Sequence, residues 1–85
     1  MSDHKELDRP NWTPLETRLC ETGLPVSVCG AFMWMWRQDG IEFYKHIESR
    51  RYLLLDSEQR CWRQGATGFE FADFESEFRR VTQWA

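Results

Sequence analysis

Residues 31–63 read AFMWMWRQDGIEFYKHIESRRYLLLDSEQRCWR, and how this stretch divides decides the fold. Asp39-Gly40 is its strongest divider. A two-residue Asp-Gly step between alternating apolar runs predicts a tight hairpin, because both positions tolerate the positive φ that such a turn requires. A second turn around Ser49-Arg50 and a polar third one over Asp56-Ser57-Glu58-Gln59 cut the remainder. The stretch is therefore expected to form a four-stranded antiparallel meander.

The Asp39-Gly40 turn sets a register. It pairs Gln38 with Ile41, Trp36 with Phe43, Trp34 with Lys45 and Phe32 with Ile47 on one face. On the other face Arg37 meets Glu42, Met35 meets Tyr44 and Met33 meets His46. The opposite charges of Arg37 and Glu42 support this register, since a slip of one residue would lose the pair. Continued through the later turns, the first face gathers Phe32, Trp34, Trp36, Phe43, Ile47, Tyr52, Leu54 and Cys61. The second gathers Met33, Met35, Tyr44, His46, Leu53, Leu55 and Trp62. Lys45 opposite Trp34 is read as a cation–π contact.

Helices are expected at both ends. Trp12-Thr13-Pro14-Leu15-Glu16 carries a start signal: Thr13 as N-cap, Pro14 at the first helical position, and Glu16 completing a capping box. Leu15 and Leu19 share a face, and Gly23 with Pro25 ends the helix. Leu24 to Gly30 reads as an edge strand or an extended lead-in. After a loop over Gln64 to Gly68, Phe69 and Phe71 alternate with Glu70 in a brief extended segment. Asp73 caps a last helix whose stripe is Phe74, Phe78 and Val81, extended by Trp84 or Ala85. The expected fold is α+β, in the order α-β-β-β-β-α, with residues 1–11 a mobile tail and 12–85 a single domain.

Eighty-five residues support one core, and 41% hydrophobic with 15% aromatic content is a globular composition. The net charge of −3 argues against non-specific nucleic-acid binding. The first ten residues lack the apolar run of a signal peptide, and no stretch approaches the length of a membrane span. Three cysteines without paired spacing read as reduced thiols of a cytoplasmic protein.

The functional expectation comes from the sheet. A half-solvated antiparallel sheet should alternate apolar and polar residues, yet here both faces are apolar. Two short helices cover one face, unless they sit on opposite faces or the sheet curls into a barrel. An open second face would be a large exposed apolar patch, which marks an interaction surface. The leading expectation is a non-enzymatic module that forms a homodimer or docks a protein partner through Met33, Met35, Tyr44, His46, Leu53, Leu55 and Trp62, with Arg50 and Arg51 at the rim. Its mix of Met, Tyr, Trp and charge suits an interface.

Two other classes remain open. Arg50-Arg51, Arg60, Arg63 and Arg79-Arg80 near aromatics fit a single-stranded nucleic-acid platform with a basic rim. A small enzyme would need a pocket holding His46 or Cys29 beside a second polar group. The residues carry no catalytic constellation, no paired metal-ligand spacing among Cys20, Cys29, Cys61 and His46, and no cofactor motif, so no metal or cofactor is expected.

The run FMWMW followed by GIEFYKHIESRRYLLLD resembles small bacterial proteins carried on mobile elements such as integron gene cassettes. The resemblance covers mainly residues 31–56. It implies a bacterial, cytoplasmic accessory protein, and an inhibitor that occupies a protein surface is one role in keeping with it. It assigns no catalytic residue.

Overall fold

In the computed structural model, which describes residues 9–83, the chain runs through helix α1 (Thr13–Glu21), a 3-10 segment (Val26–Ala31) and five strands. The strands are β1 (Phe32–Gln38), β2 (Ile41–His46), β3 (Tyr52–Asp56), β4 (Cys61–Gly65) and β5 (Gly68–Phe71), and helix α2 (Phe74–Thr82) closes the order. All strands pair antiparallel with their sequence neighbours in one open sheet. The fold is thus α+β with five strands rather than the expected four. The extra strand is the Phe69–Phe71 segment, paired back on β4 from Gly65↔Gly68 to Trp62↔Phe71. Its turn lacks an Asn-Gly or Asp-Gly signature; Gly68 instead takes the positive φ of 137°.

Each helix end follows from its local residues, with one departure. Gly23 takes φ 79°, and its N–H and that of Leu24 bond back to Cys20 and Leu19, a Schellman ending. Asp73 caps α2 as expected, its carboxylate accepting from the Ser76 amide at 2.9 Å. Thr13, by contrast, does not cap α1. Helical geometry already starts at Thr13, whose N–H donates to Asn11 Oδ1 at 3.2 Å. The residues after Pro25 wind into the 3-10 segment rather than extending, with Val28 N–H bonded to the Pro25 carbonyl.

The hairpin of β1 and β2 follows the expected register from Gln38↔Ile41 to Trp36↔Phe43, with Asp39 and Gly40 both at positive φ (55° and 76°). Then it departs. A bulge at Met35 moves Trp34 opposite Tyr44, Met33 opposite Lys45 and Phe32 opposite His46. One extra residue on one strand turns every side chain beyond it to the other face. Phe32 and Trp34 therefore join the helix side, while Met33 and Met35 leave it. The expected Trp34–Lys45 contact is replaced by Arg37 over Trp34 and Lys45 over Tyr52, each at 5.8 Å.

Both helices lie on one face. Leu15, Leu19, Phe74 and Val81 pack there with Phe32, Tyr44, Leu53, Leu55 and Cys61. The other face holds a second, smaller core of Ile41, Phe43 and Leu54, flanked by Met35, Trp36, Tyr52, Trp62 and Phe69, with no helical residue in it. The sheet buries this second core by curling. Phe43 on β2 and Phe69 on β5 have ring centroids 6.0 Å apart, although three strand spacings in a flat sheet would be about 14 Å. The open face is thus concave and partly roofed by its own rings, so less apolar surface is bare than a flat sheet would leave. Met33 (44% exposed), Ile47 (48%) and Phe71 (64%) stay out in solvent.

Of the expected tail, residues 1–8 lie outside the described residues, as do Trp84 and Ala85 at the other end. Residues 9–12 are tied down. Tyr44 Oη donates to the Asn11 carbonyl at 2.6 Å, an Arg37 Nη2 donates to the Arg9 carbonyl at 3.2 Å, and Trp12 stacks on Tyr44.

Candidate functional site

The bulge and the last hairpin divide the residues expected to form the docking surface. Tyr44, His46, Leu53 and Leu55 are buried on the face that the helices cover, so they present no surface to a partner. Met33, Met35 and Trp62 are on the open face, and Arg50 and Arg51 are exposed at the turn between β2 and β3. Trp62 changes sides relative to expectation because β3 and β4 pair as Leu54↔Trp62 and Leu55↔Cys61, one residue away from the register read from the sequence. The docking set expected from sequence therefore marks the covered face more than the open one.

Three features shape the open face. The first is a hollow of about 150 Å³ lined by Trp36, Phe43 and Tyr52 and flanked by Gln38 and Gln64. The Trp36 ring stacks on Phe43 at 4.9 Å and meets Tyr52 tilted by 54° at 5.9 Å, so the three rings pack on one another and the hollow opens at their edges rather than between them. Trp36 Nε1 donates to Gln38 Oε1 at 3.3 Å, which fixes one rim.

The second feature is an anchored tryptophan. Asp56, at the end of β3, accepts from the Glu58 and Arg60 amides, from Arg60 Nε and from Trp62 Nε1, all at 2.9 Å. Burial alone would raise this carboxyl's pKa; the bonds from Trp62, Arg60 and Glu58 overcome burial and hold it below the ordinary value. Phe71 stacks on the pinned indole at 4.2 Å, and Arg60 sits over Phe71 at 5.8 Å. Beside them a cavity of about 390 Å³ opens between Asp39, Ile41, Trp62 and Phe69.

The third is a gap in the sheet. Beyond Leu54↔Trp62 the β3–β4 ladder stops, leaving a cavity of about 320 Å³ lined by Tyr52, Leu54, Arg63, Gln64, Glu77 and Arg80. It shares Tyr52 and Gln64 with the aromatic hollow, so the two are neighbours.

The cations and the candidate catalytic groups are placed as follows. Arg60 pairs with Asp56 and Glu58, Arg63 with Glu70, and Arg80 with Glu77. His46 is 6% exposed; its Nδ1 accepts from the Ser49 amide at 3.1 Å and its ring meets Phe32 edge-on, so it serves the turn after β2. Burial, then the Glu16 carboxylate, raise the Cys29 thiol's pKa, away from a nucleophilic thiolate. Cys61 is buried and pushed up to about 12 by burial above all. Among the described residues no group of three or more His, Cys, Asp or Glu could hold a metal ion, and no helix is long and apolar enough to cross a membrane.

Sequence reasoning missed Trp36, Phe43 and Tyr52, which it put on the face opposite the expected docking set, and also Phe69, Gln38 and Gln64 as parts of the site. Phe69 alternates with Glu70, which is legible in the sequence, but its partner Gln64 reads as loop, and only the pairing of β4 with β5 brings the two together. No family model matches the chain, and no match was found among curated proteins or solved structures.

Proposed function

We propose that this protein is a non-enzymatic binding module that docks an extended segment of a partner protein on the concave, helix-free face of its sheet. The observation that carries this is the hollow on the helix-free face lined by the packed rings of Trp36, Phe43 and Tyr52 and by two glutamines, Gln38 and Gln64. Aromatic ring edges suit the apolar side chains of an extended chain, and carboxamides on the rim offer a donor and an acceptor to its peptide groups. The pairing of Arg60, Arg63 and Arg80 with carboxylates favours a protein over a nucleic acid, since a phosphate backbone needs a track of uncommitted cations.

Three free thiols fit a reducing compartment, and the protein is taken as cytoplasmic and bacterial, an accessory factor of the mobile-element type that acts by occupying another protein's surface. The test is selection of displayed random dodecapeptides against the whole chain, with Trp36→Ala and Tyr52→Ala as counter-targets. Peptides retained by the wild type and lost by both variants support the reading. Equal retention by all three sinks it.

Self-association is the second reading, favoured by Phe71, which stands 64% exposed on the outer strand β5. Mass measured by light scattering from low to high micromolar concentration decides it: a dimer that Phe71→Ser dissolves supports self-pairing, and a monomer throughout removes it.

A further inference from the structure

Two places in this chain repeat one arrangement of a ring, a carboxylate and a guanidinium. Glu42 accepts from Trp34 Nε1 at 2.7 Å and from Arg37 Nε at 2.6 Å, and the Arg37 guanidinium sits over the Trp34 ring at 5.8 Å. Asp56 accepts from Trp62 Nε1 and from Arg60 Nε, both at 2.9 Å, and the Arg60 guanidinium sits over Phe71, the ring stacked on Trp62. In each the carboxylate holds the cation while an aromatic ring lies against it. The hollow beside Trp62 supplies two parts of the same set, rings and a carboxylate.

That hollow, of about 390 Å³, lies where the turn between β1 and β2 nears the turn between β3 and β4. Ile41, Trp62 and Phe69 line it with apolar surface, and Asp39, Asp56, Ser57 and Arg60 with polar groups. Asp56 has both oxygens occupied by its donors, and Arg60 is paired with Asp56 and Glu58. Asp39 is different: it is exposed, and its carboxylate makes no hydrogen bond or ion pair among the described residues. The charged side chains that line the hollow or bond to its lining are thus the carboxylates of Asp39, Asp56 and Glu58 against the single guanidinium of Arg60. The place is electronegative and aromatic at once. Ile41 here and Phe43 in the neighbouring hollow are two residues apart on β2, about 7 Å along the strand, which is the spacing of alternate side chains in an extended guest.

We propose that this hollow takes an arginine side chain of the partner's extended segment, its guanidinium paired with Asp39 and lying against Trp62 and Phe69. The assignment rests on the docking reading above and names a residue that the partner carries. Charge complementarity selects the occupant. An anion would meet an uncompensated carboxylate, and a purely apolar side chain would cover Asp39 with nothing in return. Arginine fits better than lysine, because a planar and weakly hydrated guanidinium pairs with a carboxylate and lies on a ring at the same time. Arg37 and Arg60 already do both within this chain.

The test titrates capped pentapeptides, Ala-Leu-Ala-X-Ala with acetyl and amide ends, onto the isotope-labelled whole chain and follows backbone amides and the Trp62 indole N–H. X is arginine, citrulline (the same shape without the charge), lysine or glutamate. The arginine peptide is expected to shift Gly40, Ser57 and Trp62 saturably. Citrulline should bind about tenfold more weakly, because the ion pair and the cation–π contact are both lost. Asp39→Asn should weaken the arginine peptide about threefold to fivefold and leave the citrulline peptide unchanged. Asp39 and Gly40 both hold positive φ, and Asn-Gly suits such a turn as well as Asp-Gly does, so this variant keeps the hairpin. The assignment falls if arginine and citrulline bind alike, if lysine or glutamate binds as tightly as arginine, or if Asp39→Asn changes nothing. It also falls if the shifts map elsewhere or no saturable shift develops by about 10 mM. Arginine and citrulline binding alike on the open face, with Trp36→Ala and Tyr52→Ala abolishing both, overturns the arginine site and leaves the docking reading standing. Arginine-selective shifts at Gly40 and Trp62, in a chain whose displayed-peptide selection fails, overturn the docking reading and leave the arginine site.

Discussion

Phe43 and Phe69 meet edge to face at 6.0 Å although β3 and β4 separate their strands. The contact is the clearest mark of how strongly the sheet curls, and it lets the second core exist without a helix above it. Phe43→Ala should cost about 3–5 kcal/mol, the usual range for removing a buried ring. A double-mutant cycle with Phe69→Ala should return a coupling of about 1 kcal/mol in urea unfolding. Zero coupling would mean that the two strands do not approach in solution.

Glu42 is the pin of the N-terminal segment. Only 2% exposed, its carboxylate accepts from Trp34 Nε1 at 2.7 Å and Arg37 Nε at 2.6 Å, with Asn11 Nδ2 at 3.5 Å. Glu42→Ala leaves those donors without their acceptor and should destabilise the fold by about 3 kcal/mol. Glu42→Gln keeps an acceptor oxygen and should cost less. In both variants the amides around residues 11–13 should exchange faster with solvent, while those of α2 should keep their rates relative to global unfolding.

Asp56 makes the open face sensitive to acid. Its carboxyl is held below the ordinary value in the folded chain, so its contribution is complete above the unfolded pKa of about 3.9 and is lost as the pH falls through the lower, folded value. The stability gap between wild type and Asp56→Asn should therefore be widest near neutrality and shrink below about pH 4. Trp62 emission and its indole N–H signal, followed down the same titration, should change together as the carboxylate is protonated. A gap independent of pH would show that the folded chain does not favour the ionised form of Asp56.

The three cysteines should separate by reactivity. Cys20 is exposed, whereas Cys61 is buried and pushed up to about 12. Iodoacetamide at pH 8 should label Cys20 first and leave Cys61 unlabelled until denaturant is added, as mass spectrometry of the digested chain would report. Labelling of Cys61 in the native protein at the rate of Cys20 would contradict its place beneath α2.

Much of the architecture is legible in the chain because its strongest signals are local. Asp39-Gly40 sets a turn that its own backbone preference explains, Gly23 ends α1, Asp73 caps α2, and the Arg37–Glu42 pair fixes the first half of the hairpin. What sequence reasoning lost lies where one residue decides a whole face. The alternation in FMWMW is unbroken, so nothing in it marks Met35 as the bulged residue; the competition between packing Trp34 against Glu42 and packing it against Phe43 is tertiary. The second such loss is at Trp62, whose side depends on the length of a polar turn organised by Asp56. The aromatic hollow was the least readable part, since Gln38 and Gln64 are ordinary strand residues until Trp36 and Tyr52 frame them.

The irregularity at Met35 bears on more than which side chains face the helices. β1 is an outer strand of the sheet, and its outward amides fall out of step halfway along. A second chain trying to lengthen the sheet at that margin would find matching groups for only part of its run. The bulge thereby makes this margin a poorer template for strand addition than an unbroken aromatic edge would be.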